Sequence, residues 1–530
     1  MAGATGRDFT RREVLGRATR AGAGAYLFGA LPALERAFPA LGEERPNILF
    51  VFSDDHAVQA ISAYGSRINH TPHIDRIATE GAIFLNSFCT NSICAPSRAV
   101  VLTGKHSHVN GKIDNSAQDP FDTGQPTFNK ALQAAGYQTA MIGKWHLRSD
   151  PEGFDFWQVL PGQGHYYNPD FRTPDGQVRM EGYVTDLVTD LSLQWLERER
   201  DPDRPFLLMC QHKAPHRNWM PGPDHLMTYE DVEIPEPESL FDDYLNRASP
   251  AALQEMSIRE HLQPAYDLKI TPEAPEDPDD PFPGYARMTP AQRAAWDAAY
   301  GPRNTRFREA NPQGDDRVRW YYQRYIKDYL RCIAGIDDNV GRMLAYLDDT
   351  GLARDTLVIY CSDQGFYLGE HGWYDKRWMY EESLSMPLLA RWPGRIAPGT
   401  RIPHLVQNID YAPTFLEMAG EPVPGDIQGE SLLGLLTGRT TDGWRDSIYY
   451  HYYEYPQPHR VAPHYGIRTE RYKLVHYYGT GEWELFDLEE DPGELNSVYA
   501  DPARSGLVDE LKAELRRLRE FYGDETGVGF

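Results

Sequence analysis

Four short apolar runs, each followed directly by polar residues, constrain the fold of this chain more than any other feature. They cover residues 47–52, 139–142, 206–210 and 356–361. Uninterrupted apolar runs of this length are typical of β-strands that are buried on both faces of a sheet. Segments with helical periodicity lie between them, at residues 74–79, 183–198 and 321–349. This alternation predicts an α/β fold with a mostly parallel sheet sandwiched by helices.

The polar residues that follow the four runs predict a shared functional site. In chain order they are Asp54 and Asp55, Lys144 and His146, His212 and His216, and Asp363 and Gln364. In a sheet of this kind, ligands bind beyond the carboxyl ends of the strands. We therefore expect the four groups to lie close together at one edge of the sheet.

The acidic residues after the first and fourth runs predict a divalent cation site. Asp54, Asp55, Asp363 and Gln364 offer only oxygen atoms, which suits Ca²⁺, or Mg²⁺, better than zinc. Taken alone, the Asp54-Asp55 pair would more simply be a turn or a helix cap. The second acidic group at another strand end favours the metal site, because like charges so close together would repel each other without a cation.

Cys94 begins the segment with the most specific pattern. The chain has five widely spaced cysteines, which argues against a disulfide framework. Cys94-Ala95-Pro96-Ser97-Arg98, followed by Leu102-Thr103-Gly104, resembles the signature of the formylglycine-dependent sulfatases. The resemblance extends over roughly residues 45–500. It implies an alkaline-phosphatase-like fold and hydrolysis of sulfate esters, after a formylglycine-generating enzyme has oxidised Cys94 to formylglycine.

The same resemblance implies roles for other residues. The metal site of the family matches the four oxygen ligands above, although many members carry Asn where this chain has Gln364. Arg98 would hold the formylglycine oxygen or a metal carboxylate, and Lys144 would neutralise sulfate oxygens. His146 would deprotonate the hydrated aldehyde during sulfate release, and either His216 or Lys376 would protonate the leaving alcohol. The remaining candidates, as substrate-binding residues, are His165, His371 and His212.

The net charge of the chain, −25, argues against a nucleic acid partner, since that would require a basic surface. An acidic protein can still bind an anion through a local cluster of cations. Here three aspartates and a sulfate ester contribute −4, whereas a divalent cation with Arg98, Lys144 and Lys376 contributes +5. The predicted site can therefore accept a sulfate ester.

Two segments point to a sulfated carbohydrate as the substrate. Residues 162–169 and 362–372 resemble segments of N-acetylglucosamine-6-sulfatases and mucin-desulfating sulfatases. Two alternatives remain open. The chain is a phosphodiesterase or phosphonate monoester hydrolase on the same fold, or it is a non-catalytic binder of sulfated glycan in which Cys94 is unmodified.

The amino-terminal residues predict export. Arg11 and Arg12 precede an apolar run at residues 21–34, which resembles a twin-arginine signal. The run is too short for a stable membrane anchor. We therefore expect a periplasmic or secreted protein.

The chain divides into three segments by its sequence pattern. Residues 1–40 form the signal, residues 41–440 the catalytic domain and residues 441–530 a smaller α+β subdomain. Within the catalytic domain, residues 221–315 are rich in proline and acidic residues and predict an insertion that is partly loop.

Overall fold

The strands supply the frame of the molecule. The computed structural model describes residues 45–116, 118–272, 277, 279–439 and 443–527, so the predicted signal at residues 1–40 lies outside the described residues. The strands are β1 Asn47–Ser53, β2 Ala82–Phe88, β3 Gln138–Lys144, β4 Phe156–Leu160, β5 Asp170–Thr173, β6 Gly176–Arg179, β7 Phe206–Gln211, β8 Thr356–Ser362, β9 Tyr367–Leu368, β10 Tyr374–Asp375, β11 Leu388–Arg391, β12 Thr400–Gln407, β13 Ser447–Tyr452, β14 His464–Thr469, β15 Tyr472–Tyr477 and β16 Glu482–Asp487.

The helices lie mostly between the strands along the chain. They are α1 Pro72–Thr79, α2 Cys94–Thr103, α3 Ser107–Asn110, α4 Phe128–Ala134, α5 Val184–Arg198, α6 Pro250–Leu253, α7 Pro290–Ala310, α8 Gly314–Asp349, α9 Glu381–Leu384, α10 Tyr411–Met418, α11 Leu433–Leu436 and α12 Ser505–Tyr522. No helix among the described residues combines the length and the apolar composition that a bilayer crossing requires.

Ten strands form one large sheet, in the order β12-β2-β11-β8-β1-β7-β3-β4-β5-β6. The five strands from β8 to β4 are all parallel to their neighbours within that group. Strand β11 is antiparallel to β2 and β8, and β5 is antiparallel to β4 and β6. The predicted mostly parallel sheet is confirmed, with antiparallel pairs toward its edges.

Complete burial of the central strands explains their uniform apolar sequence. Every residue of β1, β3 and β8 is buried. A parallel strand covered by helices has no solvent-facing side, and therefore its sequence shows no alternation of polar and apolar residues. Lys144 ends β3, and Asp54 and Asp363 directly follow β1 and β8.

The carboxyl-terminal part of the chain forms a second, smaller sheet. Strands β13 to β16 pair antiparallel in chain order. Helix α12 packs on this sheet through Leu511, Leu515 and Leu518, which share one apolar cluster with Tyr449 and Ile467. The predicted α+β arrangement of this region is confirmed, whereas its boundary at residue 441 stays a prediction.

The insertion at residues 221–315 contains more helix than its sequence predicts. Helix α7 begins at Pro290, and Thr289 caps it by accepting a hydrogen bond from the backbone N–H of Gln292. Gln292 Oε1 in turn accepts a hydrogen bond from the backbone N–H of Thr289 at 2.8 Å, which completes a capping box. Proline fits at the first position of a helix because its missing N–H has no partner there.

Candidate active site

The strand registers bring the predicted residues to one edge of the large sheet. Phe52 of β1 pairs with Gln211 of β7 on one side and with Cys361 of β8 on the other. Gly143 of β3 also pairs with Gln211. The four strands therefore end at the same level, and the residues that follow them emerge together.

The three aspartates and Gln364 form a buried group of oxygen atoms. The backbone N–H of Asp55 donates to Asp363 Oδ1 at 3.1 Å. Gln364 Nε2 donates a hydrogen bond to Asp55 Oδ1, so the amide oxygen, Gln364 Oε1, takes no part in that bond. Gln364 Oε1 and Asp54 Oδ1 are buried and accept no hydrogen bond from the described residues. Buried oxygens without partners are rare, so these atoms fit ligands of a hard divalent cation.

The pKa values of the three aspartates support this interpretation. Burial raises the pKa of Asp55 to about 6, and burial together with the charge of Asp54 raises that of Asp363 to about 8. Burial also acts on Asp54, but Lys144, followed by His216 and Arg98, outweighs it and holds the pKa well below its ordinary value. A bound dication would stabilise all three carboxylates in their charged form.

Each aspartate faces a buried cation. Lys144 forms an ion pair with Asp54, and Arg98 Nη2 lies 3.0 Å from Asp363 Oδ2. Lys376 Nζ lies 2.6 and 2.7 Å from the two oxygens of Asp55. The second nitrogen of the guanidinium, Arg98 Nη1, donates to the backbone oxygen of Lys144 at 2.7 Å. Side chains from four distant parts of the chain thus form one alternating network of charges.

Cys94 is the first residue of α2 and is completely buried. One ligand atom from each of Cys94, Asp54, Asp55 and His216 lies within 4.8 Å of the others. Burial raises the pKa of the Cys94 thiol to about 12, so the unmodified side chain is protonated and a poor nucleophile at neutral pH. Ser97 fixes α2 against the cation site by donating to the backbone oxygen of Asp363.

Two histidines border this group in neutral form. His146 is buried with a left-handed backbone, φ 59°, and its Nδ1 has no hydrogen-bond partner among the described residues. His216 Nδ1 donates to the backbone oxygen of Arg217 at 2.6 Å, and its Nε2 lies 3.8 Å from Asp55 Oδ2. Burial, with the charge of Lys144, lowers the pKa of both imidazoles well below the ordinary value. Both rings are therefore unprotonated at neutral pH.

His212 and His371 lie within hydrogen-bonded or aromatic packing. His212 Nε2 is 3.7 Å from Cys210 Sγ, and burial lowers its pKa to about 4. His371 Nδ1 lies 3.1 Å from Asp242 Oδ2, and its ring packs 5.1 Å from that of Trp373. The substrate-binding roles assigned to these two residues stay predictions.

His165 instead lies at an open cavity of about 290 Å³. His216 lines the same cavity and also lies in the group around Cys94, so the cavity extends toward Cys94. Its other polar lining residues include Gln163, Lys213, Arg217, Asn218 and Tyr266. A cavity of this size with several convergent polar groups is typical of small-molecule binding sites.

Several residues of the site were missed by the sequence analysis. Lys213 follows β7, and burial lowers its pKa to about 7. Gln211 ends β7 and accepts a hydrogen bond from Arg98. Both stand at a strand end and were accessible to the same reasoning as His212.

Asp375 and its partners were also missed, and their sequence carries no such signal. Asp375 Oδ2 lies 3.0 Å from His459 Nε2, and Asp375 also pairs with Arg377. The backbone N–H of Lys376 donates to Asp375 Oδ1 at 2.9 Å. The group therefore fixes the loop that carries Lys376.

Comparisons with known proteins agree with this geometry. The family model described as Sulfatase matches residues 46–421. This chain belongs to the sulfatase family. A second model, described as N-sulphoglucosamine sulphohydrolase, C-terminal, matches residues 369–521 of this sulfatase. The enzyme is thus a sulfuric ester hydrolase, and its family implies a formylglycine-modified cysteine and a divalent metal.

Individual relatives cover most of the sulfatase. An N-acetylglucosamine-6-O-sulfatase of Bacteroides thetaiotaomicron is 46% identical over 91% of this chain and 87% of its own length. A human N-acetylglucosamine-6-sulfatase is 26% identical over 78% of this chain and 68% of its own. The resemblance that the sequence motifs indicated is confirmed.

Solved structures confirm the fold of the sulfatase. A protein in complex with its substrate D-glucosamine-2-N,6-O-disulfate has a TM-score of 0.88 and 45% identity, covering 91% of this chain and 99% of its own. A phosphonate monoester hydrolase from Silicibacter pomeroyi has a TM-score of 0.67 at 20% identity, covering 91% of this chain and 96% of its own. The second likeness shows the shared alkaline-phosphatase-like fold alone.

Proposed function

We propose that this sulfatase hydrolyses the 6-O-sulfate ester of glucosamine sugars, with N-acetylglucosamine 6-sulfate as the representative substrate. The convergence of Cys94 with oxygen ligands and buried cations, beside a polar cavity, carries the proposal. The 46% identical relative is an N-acetylglucosamine-6-O-sulfatase, and the 45% identical structure holds D-glucosamine-2-N,6-O-disulfate; both support this choice of sugar.

The cation is proposed to be Ca²⁺, with Mg²⁺ as the second choice. Asp54, Asp55, Asp363 and Gln364 would hold it, because they offer three carboxylates and an amide oxygen that accepts no hydrogen bond from the described residues. Ca²⁺ accepts six to eight oxygens in flexible geometry, whereas Mg²⁺ demands a near-ideal octahedron. When bound, the cation supplies positive charge to the anionic ester.

Cys94 would be converted to formylglycine by a formylglycine-generating enzyme before catalysis. The hydrated aldehyde supplies an oxygen nucleophile that the protonated thiol cannot match at neutral pH. Lys144 and Arg98 would neutralise charge around this oxygen and the sulfate.

Proton transfer would fall to the residues nearest the aspartates. Burial alone lowers the pKa of Lys376, but the ion pair with Asp55 raises it well above its ordinary value, so Lys376 is a protonated donor. His216 holds an unprotonated Nε2 beside the same carboxylate and can relay the proton to the leaving alcohol. His146, which is neutral and whose Nδ1 has no hydrogen-bond partner in the described part of the chain, would accept the proton that sulfate release requires.

Export and domain organisation complete the proposal. Residues 1–40 would direct twin-arginine export to the periplasm or the medium, which suits a protein that folds before transport. Residues 41–440 would form the catalytic domain, including the insertion at 221–315, and residues 441–530 the carboxyl-terminal subdomain.

The deciding experiment measures free sulfate released from 6-, 4-, 3- and 2-O-sulfated monosaccharides by the calcium-loaded enzyme. We expect the 6-O-sulfated glucosamine sugar to have the highest kcat/KM. A higher value for another position would reject the proposed sugar. Faster turnover of a phosphate diester than of a sulfate ester with the same leaving group would favour the phosphodiesterase alternative.

A further inference from the structure

A second pocket lies on the opposite face of α8 from the active site. Tyr329 of α8 donates a hydrogen bond to the backbone oxygen of Asp55 at 2.7 Å. Arg324, Lys327 and Arg331 of the same helix line the pocket. A helix turns by about 100° per residue, so positions 324, 327 and 331 share a face that is roughly opposite position 329.

Five cations surround this pocket, which we call the cationic pocket. Arg303 and Arg306 of α7 join Arg324, Lys327 and Arg331 of α8 around a volume of about 110 Å³. Glu230 is the one carboxylate among the lining residues, all of which lie in the described part of the chain. Five positive charges and one negative charge leave a net +4 in a protein whose total charge is −25.

Three of the arginines share the single carboxylate of Glu230. Its Oε1 lies 2.6 Å from Arg306 Nη2. Its Oε2 accepts a hydrogen bond from Arg303 Nε at 2.7 Å and lies 3.4 Å from Arg331 Nη2. Arg331 also forms an ion pair with Asp328, at 2.9 Å. For Arg303 and Arg306, Glu230 is the one acidic partner within ion-pair distance in the described residues.

The remaining donors of the cationic pocket lack an anion. Within the described residues, Arg324 donates to neutral oxygens only, the backbone oxygen of Leu268 at 3.3 Å and the side-chain oxygen of Asn304 at 3.2 Å. Lys327 forms neither an ion pair nor a hydrogen bond with the described residues. Arg303 is 5% exposed, and its Nη1 is buried without any hydrogen-bond partner in that part of the chain. A buried guanidinium nitrogen without an acceptor is costly, and a bound anion would satisfy it.

The chemistry of the lining selects an oxyanion. Guanidinium groups match the oxygens of sulfate, phosphate and carboxylate with paired hydrogen bonds. A volume of 110 Å³ corresponds to about four water molecules, enough for one sulfate-sized group but not for a whole sugar ring. The partly exposed Trp320, also a lining residue, offers an apolar surface to a sugar that carries the group.

We propose that the cationic pocket binds a sulfate group at a site separate from catalysis. The group is either inorganic sulfate, which the sulfatase reaction releases, or a second sulfate on a glycan substrate, and the latter source rests on the proposed function. If the ligand is free sulfate, the product of the reaction would bind against α8. If the ligand is a sulfate on a glycan, the cationic pocket would hold a second part of a longer substrate.

The test compares sulfate binding by full-length, calcium-loaded protein in the Cys94→Ala background, which prevents turnover. Arg306→Gln combined with Lys327→Gln removes two pocket cations, and Arg342→Gln removes an exposed arginine elsewhere on α8 as the control. Calorimetric titrations use inorganic sulfate and, separately, a heparin-derived tetrasaccharide. Lys327→Glu alone serves as a second variant, because Lys327 forms no ion pair whose loss would disturb folding.

We expect the control to bind two equivalents of at least one ligand. In the pocket variants, one of the two dissociation constants should rise by about tenfold or more, as loss of a charged hydrogen bond implies. A higher dissociation constant for inorganic sulfate would identify the free product as the ligand. A higher dissociation constant for the tetrasaccharide alone would identify a glycan sulfate as the ligand. Equal stoichiometry and affinity in variants and control, for both ligands, would overturn the proposal.

Turnover separates this proposal from the proposed function. With Cys94 intact, Arg306→Gln with Lys327→Gln should leave kcat/KM on a small aryl sulfate unchanged. The monosaccharide panel tests the sugar at the catalytic site and does not depend on the cationic pocket.

Discussion

At the scale of single residues, burial changes what each side chain can do. The Cys94 thiol has its pKa raised to about 12, whereas His146 and His216 have theirs lowered. The thiol is therefore a protonated, unreactive group, and the imidazoles are neutral proton acceptors. This distribution suits a site in which an oxidised Cys94 supplies the nucleophile and histidines move protons.

Replacement of Cys94 tests its role directly. Cys94→Ala should reduce sulfate ester turnover to background, a loss on the order of 10⁶-fold as in other enzymes that lose a covalent nucleophile. The measurement is kcat on an aryl sulfate, with the thermal midpoint as the check on folding. Cys89→Ala is the matched control, since Cys89 is another buried thiol near the amino end of α2. Retained activity in Cys94→Ala would exclude Cys94 as the nucleophile.

His371 predicts a pH dependence of stability. Burial alone lowers its pKa, but the hydrogen bond with Asp242 and the charge of Glu382, whose Oε2 lies 3.7 Å from His371 Nε2, outweigh burial and raise the pKa from 6.5 to about 9. The protonated ring therefore stabilises the fold fully below pH 6.5, and this contribution is lost as the pH rises through 9. The difference corresponds to about 3 kcal/mol.

Denaturant unfolding of His371→Gln at pH 6, 7.5 and 9 measures this effect. We expect the variant to be less stable than the parent by about 3 kcal/mol at pH 6, with a smaller difference at pH 9. A difference that stays constant across this range would show that His371 acts through packing alone.

At the scale of elements, each long helix has two distinct faces. Helix α8 contacts the loop after β1 through the hydrogen bond from Tyr329 to Asp55, and its other side carries the cationic pocket. Helix α12 presents Leu511, Leu515 and Leu518 to the small sheet and an exposed Phe521 to solvent. Packing of one apolar face, rather than helix propensity, holds such helices in place.

Leu515→Ala tests the attachment of α12. Leu515 is completely buried, so its truncation should lower the free energy of unfolding by about 2–5 kcal/mol. Phe521→Ala, at a side chain that is 69% exposed, should change it by less than about 0.5 kcal/mol. Urea unfolding followed by fluorescence provides the comparison, and similar losses in both variants would contradict the packing described for α12.

At the scale of the whole molecule, the active site joins segments that are far apart in the chain. Asp55 and Lys376 are separated by 321 positions and yet form an ion pair. A cation held by residues 54, 55, 363 and 364 would link the loops after β1 and β8. Because the cation would bind only the folded state, it would stabilise that state.

Metal removal tests this link. Chelation should abolish turnover, and adding Ca²⁺ at about 100 times its dissociation constant should restore activity and stabilise the protein by about 2.7 kcal/mol. Activity and thermal midpoint are measured together on the same samples. Restoration by Zn²⁺ but not by Ca²⁺ or Mg²⁺ would contradict the oxygen-ligand site.

The local sequence pattern was enough to predict the central strands and the polar groups at their carboxyl ends. Uniform apolar runs identified β1, β3, β7 and β8, since burial on both faces leaves a local pattern. It did not identify β2, β4 to β6 or β9 to β12, which are short or lack such runs. Helix α7 was hidden by the proline-rich composition around it.

Contacts between segments far apart in the chain determine the rest of the site, which local patterns do not show. Asp54, Asp55, Lys144 and Asp363 follow strands whose register brings them together, so sequence reasoning placed them at one edge. The position of His371 in aromatic packing, the bond between Asp375 and His459, and the cationic pocket depend on contacts between distant segments. Local periodicity records whether a residue is buried, but it does not record what buries it, and that partner sets the charge and chemistry of the side chain.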